Sequence, residues 1–220
     1  EELPDVDSIH RHCENIRARK QNGDIRLSLH PDQFNVLSSP HEDVVRNTIT
    51  ELEYQGLLAE KVGANVINIH AGGVYGDKEA ALLRFRNNFR QLSRRVQSKL
   101  TIENDDISYS PADLLPLCRD LSIPLVYDVH HHRCNPDNLS LEEATMECVK
   151  TWEVTGREPY FHISSSREGY DSAKPRPHAD YVSVEDFPRA WLQLDATVDV
   201  EAKAKELAVL KLKEDLGLPA

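Results

Sequence analysis

Histidine, aspartate and glutamate recur at the ends of short apolar runs along this chain, and these residue types can bind metal ions. Three of the positions are histidines, although the chain contains only 10 histidines among its 220 residues. Imidazole and carboxylate ligands without thiolates suit Mn²⁺, Zn²⁺, Co²⁺ or Fe²⁺ better than Ca²⁺. The six positions are His30, His70, Glu103, Asp128, His162 and Glu201. So many ligands indicate two or three ions, an arrangement typical of phosphodiester hydrolysis.

Each of these positions has a simpler interpretation when it is taken alone. A single histidine at the end of a strand is more often a satisfied core residue than a ligand. An acidic residue after a strand often caps the following helix, which is a reasonable interpretation of Asp105 and Asp106. The recurrence at six separate places favours metal binding over six unrelated structural roles.

The apolar runs themselves predict six strands alternating with helices. The predicted strands are Ile25–His30, Asn65–His70, Lys99–Asp105, Pro124–Val129, Pro159–Ser164 and Ala196–Ala202. The predicted helices are Ser8–Gln21, Glu42–Val62, Lys78–Val96, Pro111–Leu121, Leu141–Val154, Val184–Leu194 and Ala202–Leu216. Such alternation predicts an α/β fold with a parallel sheet, either doubly wound or a (β/α)8 barrel. Ligands at successive strand ends favour the barrel, and no glycine-rich phosphate loop follows any strand.

The length refines this expectation. A chain of 220 residues suits one catalytic domain spanning 1–220, but a closed (β/α)8 barrel needs eight strands and about 250 residues. Six strands are visible, and the sequence does not begin with Met. We therefore expect a TIM-type barrel truncated at its N-terminus, with six of eight strands, an exposed edge at the first strand and reduced stability.

Composition excludes several classes of protein. No apolar run is long enough to span a membrane, and the opening EELPDVDS lacks the features of a signal peptide. The four cysteines form no CxxC pair, so we expect reduced thiols in an intracellular protein, cytoplasmic in a prokaryote or nuclear in a eukaryote. The net charge of −11 argues against a nucleic-acid partner unless bound cations reverse the local charge.

Several motifs, taken together and in this order, resemble the UV damage endonuclease family. They are SLHPDQF (28–34), NIHAGGVYGDK (68–78), IENDD (102–106), VYDVHHHRCNP (126–136), HISSS (162–166) and VEAKAKE (200–206). The resemblance implies a TIM-barrel DNA repair enzyme that nicks double-stranded DNA immediately 5′ to cyclobutane pyrimidine dimers and 6-4 photoproducts. It also implies a 3′-hydroxyl and a 5′-phosphate as products, and two or three divalent ions, usually Mn²⁺, as cofactors.

The resemblance also implies roles for individual residues. The implied metal ligands are His30, His70, Glu103, Asp128, His131, His162, His178 and Glu201. Glu103 and Glu201 are implied to be the bridging, catalytic carboxylates, and His130 competes with His131 as the ligand. Gln33 and Phe34 are implied to be a wedge that enters the duplex at the lesion. Tyr160 occupies a position where the family can carry a carboxylated, metal-binding Lys.

Other interpretations of the site remain open. The basic residues Arg84, Arg86, Arg90, Arg94, Arg95 and Lys99 crowd the third predicted helix and its end, and are best interpreted as a solvated outer face. The competing functions are an apurinic-site nuclease like endonuclease IV, a xylose isomerase-like sugar isomerase and an inactive barrel that only binds. We expect a monomer that has no contact with a membrane.

Overall fold

The computed structural model describes residues 5–23 and 25–219. Within this range the helices are α1 Val6–Gly23, α2 Glu42–Val62, α3 Lys78–Phe89, α4 Arg94–Gln97, α5 Pro111–Leu121, α6 Val129–Cys134, α7 Leu141–Glu153 and α8 Glu206–Leu216. The strands are β1 Ser28–Leu29, β2 Val66–His70, β3 Leu100–Glu103, β4 Leu125–Asp128, β5 Tyr160–Ile163 and β6 Thr197–Val200. The six predicted strands are thus confirmed, each shorter than its apolar run.

The strands form a six-stranded sheet in the order β1-β2-β3-β4-β5-β6. The pairs β1–β2, β3–β4, β4–β5 and β5–β6 are parallel, as the alternation of strands and helices predicts. The chain divides into two compact units, Glu1–Thr101 and Ile102–Ala220, and the division falls inside β3.

In the first unit, the predicted helix Glu42–Val62 is confirmed at both ends. Gly63 ends it in the left-handed conformation (φ 74°) and donates its backbone N–H to the carbonyl of Ala59. The buried face of α2 includes Leu52 and Ala59, and the core of this unit also contains Ile67 and Phe85. These apolar side chains fix the helices against the sheet and thereby fix where its strands end.

In the second unit, helix starts follow the capping signals of the sequence. Ser140 caps α7 by accepting a hydrogen bond from the Glu143 N–H, and Glu143 accepts one from the Ser140 N–H in return. Trp152 and Trp191 are both buried in the core of this unit. The Trp152 indole donates to the Leu125 carbonyl, which ties α7 to β4.

Three predicted helices differ from the structure. The prediction of a helix over Val184–Leu194 is wrong, because extended Phe187 and Pro188 separate two short 3₁₀ helices, Val184–Asp186 and Arg189–Gln193. The predicted helix Lys78–Val96 is two helices, because α3 ends at Phe89 and α4 begins at Arg94. Ser93 caps α4 by accepting a hydrogen bond from the Val96 N–H. The last helix begins at Glu206 instead of Ala202, after Lys205 at φ 52°.

Helix α6 has no counterpart among the predicted elements. It is six residues long and contains all three histidines of the HHH run, directly after β4. No helix in the described part of the chain is long and apolar enough to cross a membrane.

Candidate metal centre

Three buried side chains from neighbouring strands meet in the second unit. Glu103 ends β3, Asp128 ends β4, and His162 lies in β5 opposite Asp128 in the strand register. Parallel pairing brings the carboxyl ends of the strands to the same edge of the sheet. One ligand atom of each lies within 4.8 Å of the others, a spacing that could hold a metal ion.

Glu103 lies at the centre of this cluster. Its Oε1 is 3.3 Å from Nδ1 of His131 and 3.2 Å from Nδ1 of His162. Glu201 approaches the same imidazole, with its Oε1 3.1 Å from Nδ1 of His162. Because both carboxylates face one ring nitrogen, they also face each other, and their mutual repulsion demands a positive charge.

Asp128 divides its two carboxylate oxygens between two tasks. Oδ1 accepts a 2.8 Å hydrogen bond from the His131 N–H and so caps α6. Oδ2 is buried and receives no hydrogen bond from any residue that the structure describes. A buried carboxylate oxygen without a donor is costly in a folded protein, whereas a cation would satisfy it. The chemistry of this oxygen therefore fits a metal site.

The structure distinguishes the two histidines that compete in the sequence. His131 directs Nδ1 towards the cluster, 3.5 Å from Oδ2 of Asp128. Both ring nitrogens of His130 have other partners, the Tyr170 hydroxyl and the Arg176 carbonyl, each at 2.9 Å. His131 is therefore the histidine whose ring faces Glu103 and Asp128, and its Nδ1 also lies 3.0 Å from the Asn104 carbonyl oxygen.

The charges of the cluster change the proton affinity of its members. Burial alone lowers the pKa of His131, but the carboxylates of Asp128 and Glu103 outweigh burial and raise it to about 10. The pKa of His162 is likewise raised well above its ordinary value, because Glu103 and Glu201 outweigh its burial. The pKa of Glu201 is lowered, since the His162 imidazole outweighs the opposing effect of burial. Positive charge is thus stabilised strongly at this point of the unit.

His178 lies beside this cluster, on the loop that follows β5. An antiparallel bridge pairs it with Ser166. Its Nδ1 is 2.9 Å from the Glu201 carbonyl oxygen and 3.9 Å from Glu201 Oε2. The second unit thus brings together six of the implied ligands: Glu103, Asp128, His131, His162, His178 and Glu201.

The other two implied ligands are neighbours in the first unit. His30 follows β1 directly and His70 ends β2, and these strands pair in parallel. Their ring centroids are 5.5 Å apart and their planes are inclined by 44°. Their proximity follows from the register, in which Leu29 faces Ile67.

Two residues near the second-unit cluster escaped the sequence reasoning. Asn104 holds β3 to β4 through its side chain, which donates to the Asp128 carbonyl and accepts from the Asp128 N–H, both at 2.9 Å. Its position directly after Glu103 is the signal that could have revealed it. Oδ2 of Asp199 in β6 lies 3.6 Å from Nε2 of His162. Asp199 comes two residues before Glu201, so both side chains point to the same side of the sheet.

The loop after β1 carries the two residues implied to form a wedge, Gln33 and Phe34. Both are exposed, and the Phe34 side chain is 75% accessible. The backbone N–H of Phe34 donates to Oδ1 of Asp32 at 2.8 Å, which forms a tight turn around the two residues. An aromatic ring is thus held out in solvent by a defined turn.

Tyr160 lies in β5, two residues before His162, and is buried. Its ring stacks on Trp152, with centroids 5.7 Å apart and an interplanar angle of 22°. The side chain at this position therefore completes the packing of α7 on the sheet.

Comparison with known proteins places these features in a family. A model of the family described as UV-endonuclease UvdE matches residues 6–218, nearly the whole chain. The chain belongs to this family. UvdE membership agrees with the resemblance of the motifs.

A curated relative and a crystal structure both resemble this UvdE chain over most of its length. It is 37% identical over 203 residues to a UV DNA damage endonuclease of Bacillus velezensis, covering 88% of this chain and 62% of the relative. The chain thus spans less than two thirds of the length of that curated relative. The crystal structure of SacUVDE superposes with a TM-score of 0.86 at 32% identity, covering 97% of this chain and 73% of that one.

A more distant structure shares the fold alone. Endonuclease IV from Thermus thermophilus superposes with a TM-score of 0.70 at 16% identity, covering 99% of this chain and 84% of that chain.

Proposed function

We propose that this chain is a DNA repair endonuclease that nicks double-stranded DNA immediately 5′ to ultraviolet photoproducts and leaves a 3′-hydroxyl and a 5′-phosphate. The observation that carries the proposal is the convergence of Glu103, His131 and His162 in a chain matched to the UvdE family over residues 6–218. The lesions it recognises are cyclobutane pyrimidine dimers and 6-4 photoproducts.

The proposed site holds two or three divalent cations, with Mn²⁺ as the native ion. The ligands are His30, His70, Glu103, Asp128, His131, His162, His178 and Glu201. When bound, such ions polarise a phosphodiester and make water nucleophilic at neutral pH. The buried Oδ2 of Asp128 supports this assignment, because it receives no hydrogen bond from the described residues and a cation would satisfy it.

The remaining roles belong to side chains of the chain itself. Glu103 and Glu201, which both approach the His162 imidazole, would bind the cations and accept the proton of the attacking water. Gln33 and Phe34 enter the duplex at the lesion, where the exposed ring of Phe34 stacks on a base. A photoproduct stacks and pairs poorly, so its extrusion costs less free energy than that of intact bases. This difference supplies the selectivity.

We propose further that the six strands belong to a TIM-type barrel, that residues 1–220 act as one catalytic domain, and that the protein works as a monomer inside the cell. Size-exclusion chromatography with light scattering tests the oligomeric state directly.

Nicking of ultraviolet-irradiated supercoiled DNA tests the proposed function. We expect Mn²⁺-dependent conversion to the open circle, and no conversion of unirradiated plasmid. Glu201→Gln should lower the rate by at least about a thousandfold, since it removes a carboxylate that the chemistry requires. Glu185→Gln is the matched control, because Glu185 is exposed and is not among the proposed ligands.

The other functions predict different outcomes in the same assay. Incision of a duplex with an abasic site but not of irradiated DNA would favour an apurinic-site nuclease. Equal nicking of irradiated and intact plasmid would contradict the assigned substrate, and full activity of Glu201→Gln would contradict the assigned site.

A further inference from the structure

Hydrogen bonds fasten the loop that carries Phe34 to three parts of the first unit: α2, the residue after β2, and α3. Thr48 of α2 accepts a 3.0 Å hydrogen bond at Oγ1 from the Val36 N–H. The Ser38 hydroxyl donates to the Ala71 carbonyl, just after β2, at 2.6 Å. The segment after Phe34 is consequently buried, from Val36 to Ser39, although Phe34 itself is exposed.

Helix α3 supplies the third attachment, through two side chains one turn apart. Nε of Arg84 donates to the Ser38 carbonyl at 2.7 Å, and Nδ2 of Asn88 donates to the Leu37 carbonyl at 2.8 Å. Two successive carbonyls of the loop are thus bound by one face of one helix. The guanidinium of Arg84 also lies 5.7 Å from the centroid of the Tyr75 ring.

This arrangement differs from the expected role of Arg84 as part of a solvated outer face. Its side chain is half-buried, whereas Arg90 at the end of the same helix is exposed. Arg84 and Asn88 border a cleft of about 690 Å³ lined by residues of α2 and α3. The two hydrogen bonds lie at the border of this cleft and are partly buried.

We propose that Arg84 is a positioning residue for the lesion wedge, and that it acts through Phe34 by fixing the backbone on which this ring stands. The proposal rests on the proposed function, because it assumes that Phe34 enters damaged DNA. An exposed ring gains affinity by stacking only if ordering its loop does not consume that gain. The hydrogen bond from the Arg84 guanidinium to the Ser38 carbonyl orders the loop when the protein folds, so binding DNA does not have to order it.

A double-mutant cycle between Arg84 and Phe34 tests this coupling. The variants Arg84→Gln, Phe34→Ala and their combination are prepared with Glu201→Gln, which prevents cleavage. Their affinities are measured by fluorescence anisotropy with Mn²⁺, for a duplex with one thymine dimer and for the same duplex intact. Arg90→Gln is the control, because it removes an exposed arginine from the end of the same helix.

We expect Arg84→Gln to weaken binding of the lesion duplex about tenfold and of the intact duplex less than about twofold. In the Phe34→Ala background, Arg84→Gln should have no further effect. Arg90→Gln should change both affinities less than about twofold. In hydrogen exchange, the amides of Val36 and Ser39 should exchange faster in Arg84→Gln, with the melting temperature otherwise maintained.

Equal losses on both duplexes, or the same loss with and without Phe34, would overturn the proposal and assign Arg84 to general DNA affinity or to stability. If the parent with intact Arg84 and Phe34 shows no preference for the lesion, the proposed function itself fails, and the positioning role fails with it. Should Arg84→Gln not fold, Asn88→Ala provides the second variant, because it removes the adjacent bond to Leu37 and must show the same dependence on Phe34.

Discussion

The HHH run of the second unit shows how three adjacent histidines acquire three different environments. His131 faces Glu103 and Asp128, while His130 is bound through both ring nitrogens to Tyr170 and Arg176. His132 bonds to the Tyr127 hydroxyl at 2.8 Å through Nδ1, and to Asp137 at 3.0 Å through Nε2. Successive side chains of a helix are rotated by about 100°, so only His131 points at Glu103 and Asp128.

This difference predicts the effect of substitution on metal binding. His131→Gln should weaken Mn²⁺ binding at least about tenfold, because it removes a nitrogen donor from the proposed site. His130→Gln should weaken it less than about threefold, since its nitrogens bond elsewhere. Isothermal titration of the metal-free proteins measures both affinities, and circular dichroism verifies the folds. A larger loss for His130→Gln than for His131→Gln would reverse the assignment of the ligand.

At the level of elements, Asp137 connects α5 and α6. Its Oδ2 accepts a 2.7 Å bond from the Ala112 N–H at the start of α5, and its Oδ1 accepts a 2.8 Å bond from the Leu139 N–H. Burial raises the pKa of this carboxyl, but the two amides, Ser110 and His132 together outweigh burial and lower it. One ionised side chain thus holds the first turn of α5 and, through His132, the helix that carries His131.

The direction of this shift fixes a pH dependence of stability. A carboxyl with a lowered pKa in the folded state stabilises the protein above its unfolded pKa, near 4, and loses that contribution as pH falls through the folded value. Asp137→Asn should therefore cost about 1 kcal/mol at pH 7, the size of a net hydrogen bond, and the difference from wild type should shrink towards pH 3.

Urea unfolding at the two pH values measures this dependence. Asp195→Asn is the control, because Asp195 is exposed and should give the same stability as wild type at both pH values. A stability difference for Asp137→Asn that stays constant down to pH 3 would show that ionisation of Asp137 does not matter.

The sequence predicted the elements where local signals determine them. Helix α2 ends at its predicted residue, where Gly63 adopts the left-handed conformation, and α7 begins at its predicted residue, where Ser140 caps it. Prediction failed at α6, because six residues are too few for a helical period, and at Lys205, whose conformation is not encoded in its residue type. The bond from Arg84 to a backbone carbonyl 46 residues away has no sequence signature.

At the level of the whole molecule, the proposed metal site would make stability depend on bound metal. A ligand that binds only the folded state stabilises it by about 2.7 kcal/mol at a hundred times its dissociation constant. We therefore expect saturating Mn²⁺ to raise the melting temperature of the metal-free protein by about 5–10 °C, and excess EDTA to reverse the shift.

Differential scanning calorimetry measures this shift, and two controls define its origin. The variant Glu201→Gln should show a much smaller increase, while Glu185→Gln should behave like wild type. An unchanged melting temperature with and without Mn²⁺ would contradict metal binding by the folded protein.

The two oxygens of Asp128 have a consequence for how this site can evolve. One oxygen starts a helix and the other would bind an ion in the proposed site, so the same residue would serve both folding and chemistry. Glutamate would move both oxygens, and asparagine would replace one of them with a donor. A lineage that changed its metal chemistry at this position would have to rebuild α6 in the same step. Such double dependence would make the position resistant to gradual change.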